Sequence, residues 1–337
     1  MLQSFSTTGI GSLPYSDPSE ACRVILDSFD IPFWPQLPHR SFLELMVPQY
    51  SEGFPFVKIQ GENIRIEKAE EQAVASFYEA VEARNGFSIS REYAAGLYAF
   101  IDILKKNSGK LPVVKGQITG PLTFTLSLTD DQKRPIYFDE EMRELALELL
   151  KGKAYWQIET LRPYAEEVLL FIDEPILSAL GTSSYIGVDT VEAKRLLSEL
   201  IKHVKASGGI AGIHCCGKAD WPLVLTSNPD VFSFDSYFFW DTIGLYPDEI
   251  KAFINNGGFI AWGIVPTTDA IREAGPQGLR EQLERGISSL EKIGLPKDKL
   301  LGQALLTPSC GTGSMEIKDA LKVFSLLKGL KNNYVKG

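Results

Sequence analysis

Residues 168–175 read Val168-Leu169-Leu170-Phe171-Ile172-Asp173-Glu174-Pro175. A short, unbroken apolar run is the pattern of a strand covered on both faces, as in a buried parallel sheet. The two carboxylates and the proline that follow mark its end. The same pattern recurs in VFSFD at 231–235 and in LLGQALL at 300–306.

Working outward from this stretch, candidate strands fall at 8–12, 34–38, 113–119, 168–173, 210–214, 231–235, 259–265 and 301–306. Longer amphipathic segments separate them. Within 191–205, Val191, Leu196, Leu197, Leu200, Ile201 and Val204 share one helical face, while Lys194, Arg195 and Lys202 lie elsewhere. The stretches 140–155, 277–293 and 316–330 read the same way. Eight strands alternating with helices predict an α/β fold, a closed (β/α)8 TIM barrel, with the whole of 1–337 as one catalytic domain. No G-x-G-x-x-G follows the first strand, so dinucleotide binding is not indicated. The section from about 33 to 61 holds four prolines and five bulky aromatics beyond Phe33. It reads as a lid or binding insertion, or equally as a packed surface loop.

The chain has 337 residues, 44% hydrophobic and 23% charged, the profile of a globular protein with a large core. The net charge of −9 argues against a nucleic-acid or anionic-membrane partner. No run approaches the ~18 apolar residues of a membrane span, and the first residues lack a basic segment followed by an apolar one, so a cytoplasmic protein is expected. Four cysteines are too few for a disulfide framework; in a reducing compartment they are better read as metal ligands or reactive groups.

Barrel enzymes carry their chemistry on the loops after the strands. Here those positions hold Ile10-Gly11-Ser12, Asp173-Glu174-Pro175, His214-Cys215-Cys216, Asp235 and Cys310. His214 and Cys216, two apart at a strand end, point to the same side. Imidazole and thiolate are favoured zinc donors, and Cys310 joins them if the barrel closes. Three ligands leave one coordination position for a substrate. Cys215 points the other way and is expected to pack against a helix; Cys22, His39 and His203 are read as structural. Asp173 and Glu174 read as a general acid/base pair or as recognising a substrate amine, with helix capping the structural alternative; recognition by Asp173 is favoured. Asp235 is either a fourth zinc ligand or a carboxylate orienting His214.

Together these motifs resemble the carboxy-terminal catalytic barrel of cobalamin-independent methionine synthase, in the group that also includes uroporphyrinogen decarboxylase. Thr7-Thr8-Gly9-Ile10-Gly11-Ser12-Leu13-Pro14 looks like T-T-x-I-G-S-x-P, Thr119-Gly120-Pro121-Leu122-Thr123 like T-G-P-V-T, and Ile172-Asp173-Glu174-Pro175 is I-D-E-P. His214-x-Cys216 matches H-x-C, Asp230 to Asp235 resembles D-V-I-S-I-E, and Pro308-Ser309-Cys310-Gly311 resembles P-D-C-G. The resemblance implies methyl transfer to a zinc-bound thiol, with homocysteine as the acceptor. It implies zinc ligation by His214, Cys216, Asp235 and Cys310, the substrate carboxylate on Ile10, Gly11 and Ser12, the amino group on Asp173, and a further contact from Glu62. Asp235 stands where the family has Glu. The chain lacks the family's additional amino-terminal barrel, so the resemblance to short, barrel-only members implies a corrinoid, or a methylated corrinoid protein, as methyl donor rather than folate. The alternatives are another acceptor thiol such as coenzyme M, or a non-catalytic zinc barrel docking in a methyltransferase complex. Porphyrinogen decarboxylation fits less well, because the arginines do not gather into that branch's opening motif.

Overall fold

The structure, a computed structural model, describes residues 2–182 and 185–335. A two-stranded antiparallel hairpin, β1 (Val57–Gln60) and β2 (Asn63–Ile66), precedes six parallel strands. These are β3 (Leu111–Thr119), β4 (Ala165–Asp173), β5 (Ile210–Cys215), β6 (Val231–Phe234), β7 (Phe259–Val265) and β8 (Ala304–Pro308), each hydrogen-bonded to the next in chain order. Helices connect them, as a parallel arrangement requires.

The remaining two walls of the barrel are irregular but present. Residues 5–8 run parallel to β8: the Thr8 N–H donates to the Leu306 carbonyl and the Leu306 N–H to that of Ser6, both at 3.0 Å. On their other side the Ile31 N–H donates to the Thr7 carbonyl, and further along the Gln36 N–H donates to that of Gly11, both at 3.0 Å. The ring closes where the Lys115 N–H of β3 reaches the Pro32 carbonyl at 2.8 Å. Pro32 and Pro35 have no N–H to give, so the second wall is a row of single bridges instead of a regular ladder. Gly9 is required beside it: a Cβ there would lie 2.3 Å from the Phe33 ring.

Alternation along each strand divides the apolar side chains into two layers. Val113, Leu169, Phe171, Val231, Ala261 and Leu305 fill the barrel interior with Ile10 and Ile31. Val114, Ile118, Leu170, Ile172, Ile213 and Cys215 face outward into the larger core shared with the helices. Cys215 therefore packs outward, as its parity demands. In the helix Thr190–Ala206, Leu196, Leu197, Leu200, Ile201 and Val204 are buried. Val191 is not: it is 75% exposed, in the turn capped by the Asp189 carboxylate.

Two expectations shift. The last strand begins at Ala304, because Leu300 and Leu301 belong to the helix Lys297–Gly302. Of the section 33–61, the first residues form the second barrel wall, and Trp34, Leu37, Tyr50 and Phe54 are buried in the core. Among the described residues no helix is long and apolar enough to cross a membrane.

Candidate metal and substrate site

All strands run the same way, so their carboxyl ends share one mouth. His214 is the penultimate residue of β5, Cys216 follows it, and Cys310 lies two residues past β8. One ligand atom from each of the three falls within 4.8 Å of the others. His214 is 3% exposed, whereas both cysteines are half-buried, so the cluster is reached from its sulfur side.

The protonation pattern fits a cation. A hydrogen bond from Cys310, then the His214 imidazole, pulls the Cys216 thiol far below its usual range. Sharing that hydrogen bond, and burial, push Cys310 the other way. Two thiols competing for one proton are an arrangement a bound cation relieves, by taking both as thiolates. His214 Nδ1 meets the Ser233 hydroxyl at 3.0 Å; among the described residues no nitrogen or oxygen partners its buried Nε2, and the ring acts on the Cys216 sulfur. A buried ring nitrogen is rarely left unpaired. The residues therefore fit zinc: two sulfurs and one imidazole nitrogen, with the second ring nitrogen anchored.

The partner that orients His214 is Ser233, which pairs with it in the β5–β6 register. Asp235 lies outside the 4.8 Å group; its carboxylate caps the short helix Ser236–Phe239, accepting the Phe238 N–H at 3.0 Å. Burial raises its pKa to about 6, and His214 and Cys216 both act on it electrostatically, so it faces the same site.

Asp173 ends β4 beside His214, its register partner on β5. Its Oδ1 is buried with no hydrogen-bond partner, and burial holds the carboxyl above the usual range against the attraction of His214 and Lys115. Glu174 turns the other way. Its carboxylate accepts the Leu122 and Thr123 amides at 2.8 Å each and the Thr123 hydroxyl at 2.6 Å. Thus Asp173 is left free and Glu174 is the cap, of the helix Pro121–Ser127.

Among the described residues the backbone N–H groups of Ile10, Gly11 and Ser12 donate to no partner, although Gly11 is buried. Buried amides are nearly always satisfied, so the unpartnered Gly11 N–H is a donor open to a ligand's acceptor. Glu62 is exposed, in the two-residue turn joining β1 to β2.

Besides Ser233, three contributors escaped the sequence reading. Lys115 and Gln117 alternate with Val113 on the interior face of β3; Lys115 Nζ donates to the Ile10 carbonyl at 2.5 Å, and Gln117 packs on Gly11. Tyr50 donates to the Gln117 carbonyl at 2.5 Å, close enough for Asp173 to act on its hydroxyl. The one signal was a lysine and a glutamine breaking the apolar run VVKGQI.

No known protein-family model matches the chain, and no curated protein sequence does. Solved structures do. A B12-independent methionine synthase from Shewanella sp. W3-18-1, in complex with selenomethionine, superposes over 99% of this chain and 98% of its own, with a TM-score of 0.58 and 13% identity. A methyltransferase from Methanosarcina mazei superposes over 97% and 92%, with a TM-score of 0.57 and 13% identity. At such identity the likeness is one of architecture: the chain has the α/β-barrel fold of these two proteins.

Proposed function

We propose that the chain, acting as one catalytic barrel domain, is a zinc-dependent thiol methyltransferase. The acceptor is homocysteine, giving methionine, and the donor is a methylated corrinoid, free or protein-bound. The observation that carries this reading is the meeting, at one barrel mouth, of two thiols and an imidazole with a carboxylate oxygen and three backbone N–H groups that have no partner among the described residues. The first set suits zinc. The second suits the two charged ends of an amino acid. Structural neighbours whose names are a methionine synthase and a methyltransferase support the choice.

His214, Cys216 and Cys310 hold the metal, which when bound supplies a Lewis acid that favours the thiolate form of the substrate at neutral pH. The chain's own part is orientation. Asp173 accepts the substrate ammonium, the N–H groups of Ile10 to Ser12 receive its carboxylate, and the thiol end is left toward the cysteines. In the transfer, sulfur forms a bond to the methyl carbon as the donor–methyl bond breaks; the donor keeps the bonding pair, and the thiol proton goes to solvent. Holding the nucleophile in line is where most of the acceleration arises.

The test is metal content together with methylation of homocysteine by methylcobalamin, in wild type and Cys310→Ser. Stoichiometric zinc and turnover, both lost in the variant, are expected. Zinc without turnover on homocysteine points to another thiol or a docking role, and absence of zinc from the purified wild type after metal loading ends the proposal.

A further inference from the structure

Lys115 is fully buried inside the barrel, yet no ion pair holds it among the described residues. Its ammonium makes a single hydrogen bond, to the Ile10 carbonyl at 2.5 Å, and lies 4.6 Å from the Phe171 ring centroid and 5.4 Å from that of Phe33. An ammonium carries three donors, so two are unspent. A buried ammonium so thinly compensated is costly.

What it acts on is fixed by the Ile10 carbonyl. In a trans peptide the C=O and the following N–H point in opposite directions. By gripping the Ile10 oxygen, Lys115 sets the plane of the Ile10–Gly11 peptide and hence the direction of the unpaired Gly11 N–H. In its protonated form, which burial disfavours and the Asp173 carboxylate favours, it also puts a positive charge beside the Ile10–Ser12 segment. Asp173 lies within electrostatic range of Lys115 but beyond the 4.0 Å of an ion pair. Two opposite buried charges held apart match the two ends of a zwitterion.

We propose that Lys115 is a positioning residue that makes the site selective for carboxylate-bearing thiols, acting through the Ile10–Ser12 segment. This rests on the reading of the substrate as an amino-acid thiol. Its role concerns binding: the charge orders the segment and attracts the carboxylate, and takes no part in bond making.

The experiment compares two thiols that differ only in the carboxylate, homocysteine and 3-mercaptopropylamine. Each is titrated calorimetrically into zinc-loaded wild type, Lys115→Met and Lys115→Arg. Lys115→Met should weaken homocysteine by about tenfold or more and alter 3-mercaptopropylamine by less than about threefold, with Lys115→Arg recovering part of the loss. A merely structural lysine weakens both thiols alike, and that result, or an unchanged homocysteine affinity, overturns the inference. Should Lys115→Met fail to fold, Lys115→Gln, which keeps a donor and removes the charge, carries the same comparison: homocysteine must weaken several-fold more than the amine, and equal changes, or none, overturn the inference. If the wild type binds neither thiol, the proposed function itself falls, an outcome distinct from binding both without regard to Lys115.

Discussion

The Thr123 hydroxyl donates to the Glu174 carboxylate at 2.6 Å, joining the T-G-P and I-D-E-P motifs across the top of the barrel. With the Leu122 and Thr123 amides on the same carboxylate, Glu174 spends its lone pairs on the helix Pro121–Ser127 and leaves Asp173 to the interior. Gly120 is part of the arrangement, because a Cβ there would lie 2.1 Å from Glu174 Oε1. Gly120→Ala must displace that carboxyl group, and Glu174→Gln puts an amide with two hydrogens of its own where three donors converge. Each substitution should cost about 1–3 kcal/mol of stability. Thermal unfolding checks this, and an unchanged Tm in both variants removes Glu174 from its role as a clamp.

Zinc binding should separate the residues around His214 by what they touch. His214→Asn, Cys216→Ser and Cys310→Ser each delete a member of the trio and should abolish stoichiometric zinc. Ser233→Ala frees His214 Nδ1, and Asp235→Ala removes a carboxylate facing the site from the cap of Ser236–Phe239. Changes at groups that only orient ligands typically cost 10–100-fold in metal affinity, so both variants should still bind zinc, more weakly by roughly that factor. Competition with a chromophoric chelator measures it. Complete loss in Asp235→Ala, with the fold intact, places that carboxylate among the ligands.

The sheet was legible where burial on both faces leaves an unbroken apolar run: 259–265 coincides with β7, and 168–173 lies within β4. The first two walls, expected at 8–12 and 34–38, are not regular strands: residues 5–8 bond to β8, ahead of the expected stretch, and Pro32 and Pro35 interrupt the second ladder. The boundary error at β8 has the same root. An apolar run carries no period, and Leu301 fits a buried helical turn as well as a strand. At the site, His214, Cys216 and Cys310 were legible because their chemistry is scarce in the chain and parity fixed their side of the strand. Lys115 was not. A lysine in a strand is ordinarily solvated, and only the closed barrel reveals that this one points inward. Ser233 was hidden for a related reason: a serine becomes His214's partner through register across strands, which a single chain segment does not display.

Asp173→Asn tests recognition of the amino group. The substitution keeps the shape but removes the charge from a buried acceptor whose Oδ1 has no other partner. A hydrogen bond to a charged group is worth about 1.5–3 kcal/mol, so homocysteine binding should weaken roughly 10–100-fold. Binding of 4-mercaptobutanoate, which keeps the thiol and carboxylate and lacks the amine, should hardly change. Equal affinity of wild type and variant for homocysteine instead favours an acceptor thiol without an amino group, such as coenzyme M.

Lys153 offers a test of stability away from the site. It is fully buried in the helix Glu140–Leu161, and its Nζ has one long hydrogen bond, to the Ser88 carbonyl at 3.4 Å. Burial pushes its pKa from 10.5 down to about 8, with Glu52 opposing. Below pH 8 the folded and unfolded chains are both protonated there, and the full cost of burying the charge is present. Between pH 8 and 10.5 the unfolded chain keeps a proton that the folded chain has released, so the contribution of this group makes the protein more stable as pH rises. Lys153→Met removes the charge at every pH and should stabilise the protein by roughly 1–3 kcal/mol at pH 7. Its advantage over wild type should shrink as pH rises from 8 toward 10. Chemical denaturation of the pair at pH 7, 8, 9 and 10 reads this difference directly, and because every other titrating group is common to both proteins, a gap that stays constant with pH rules out Lys153 as its source.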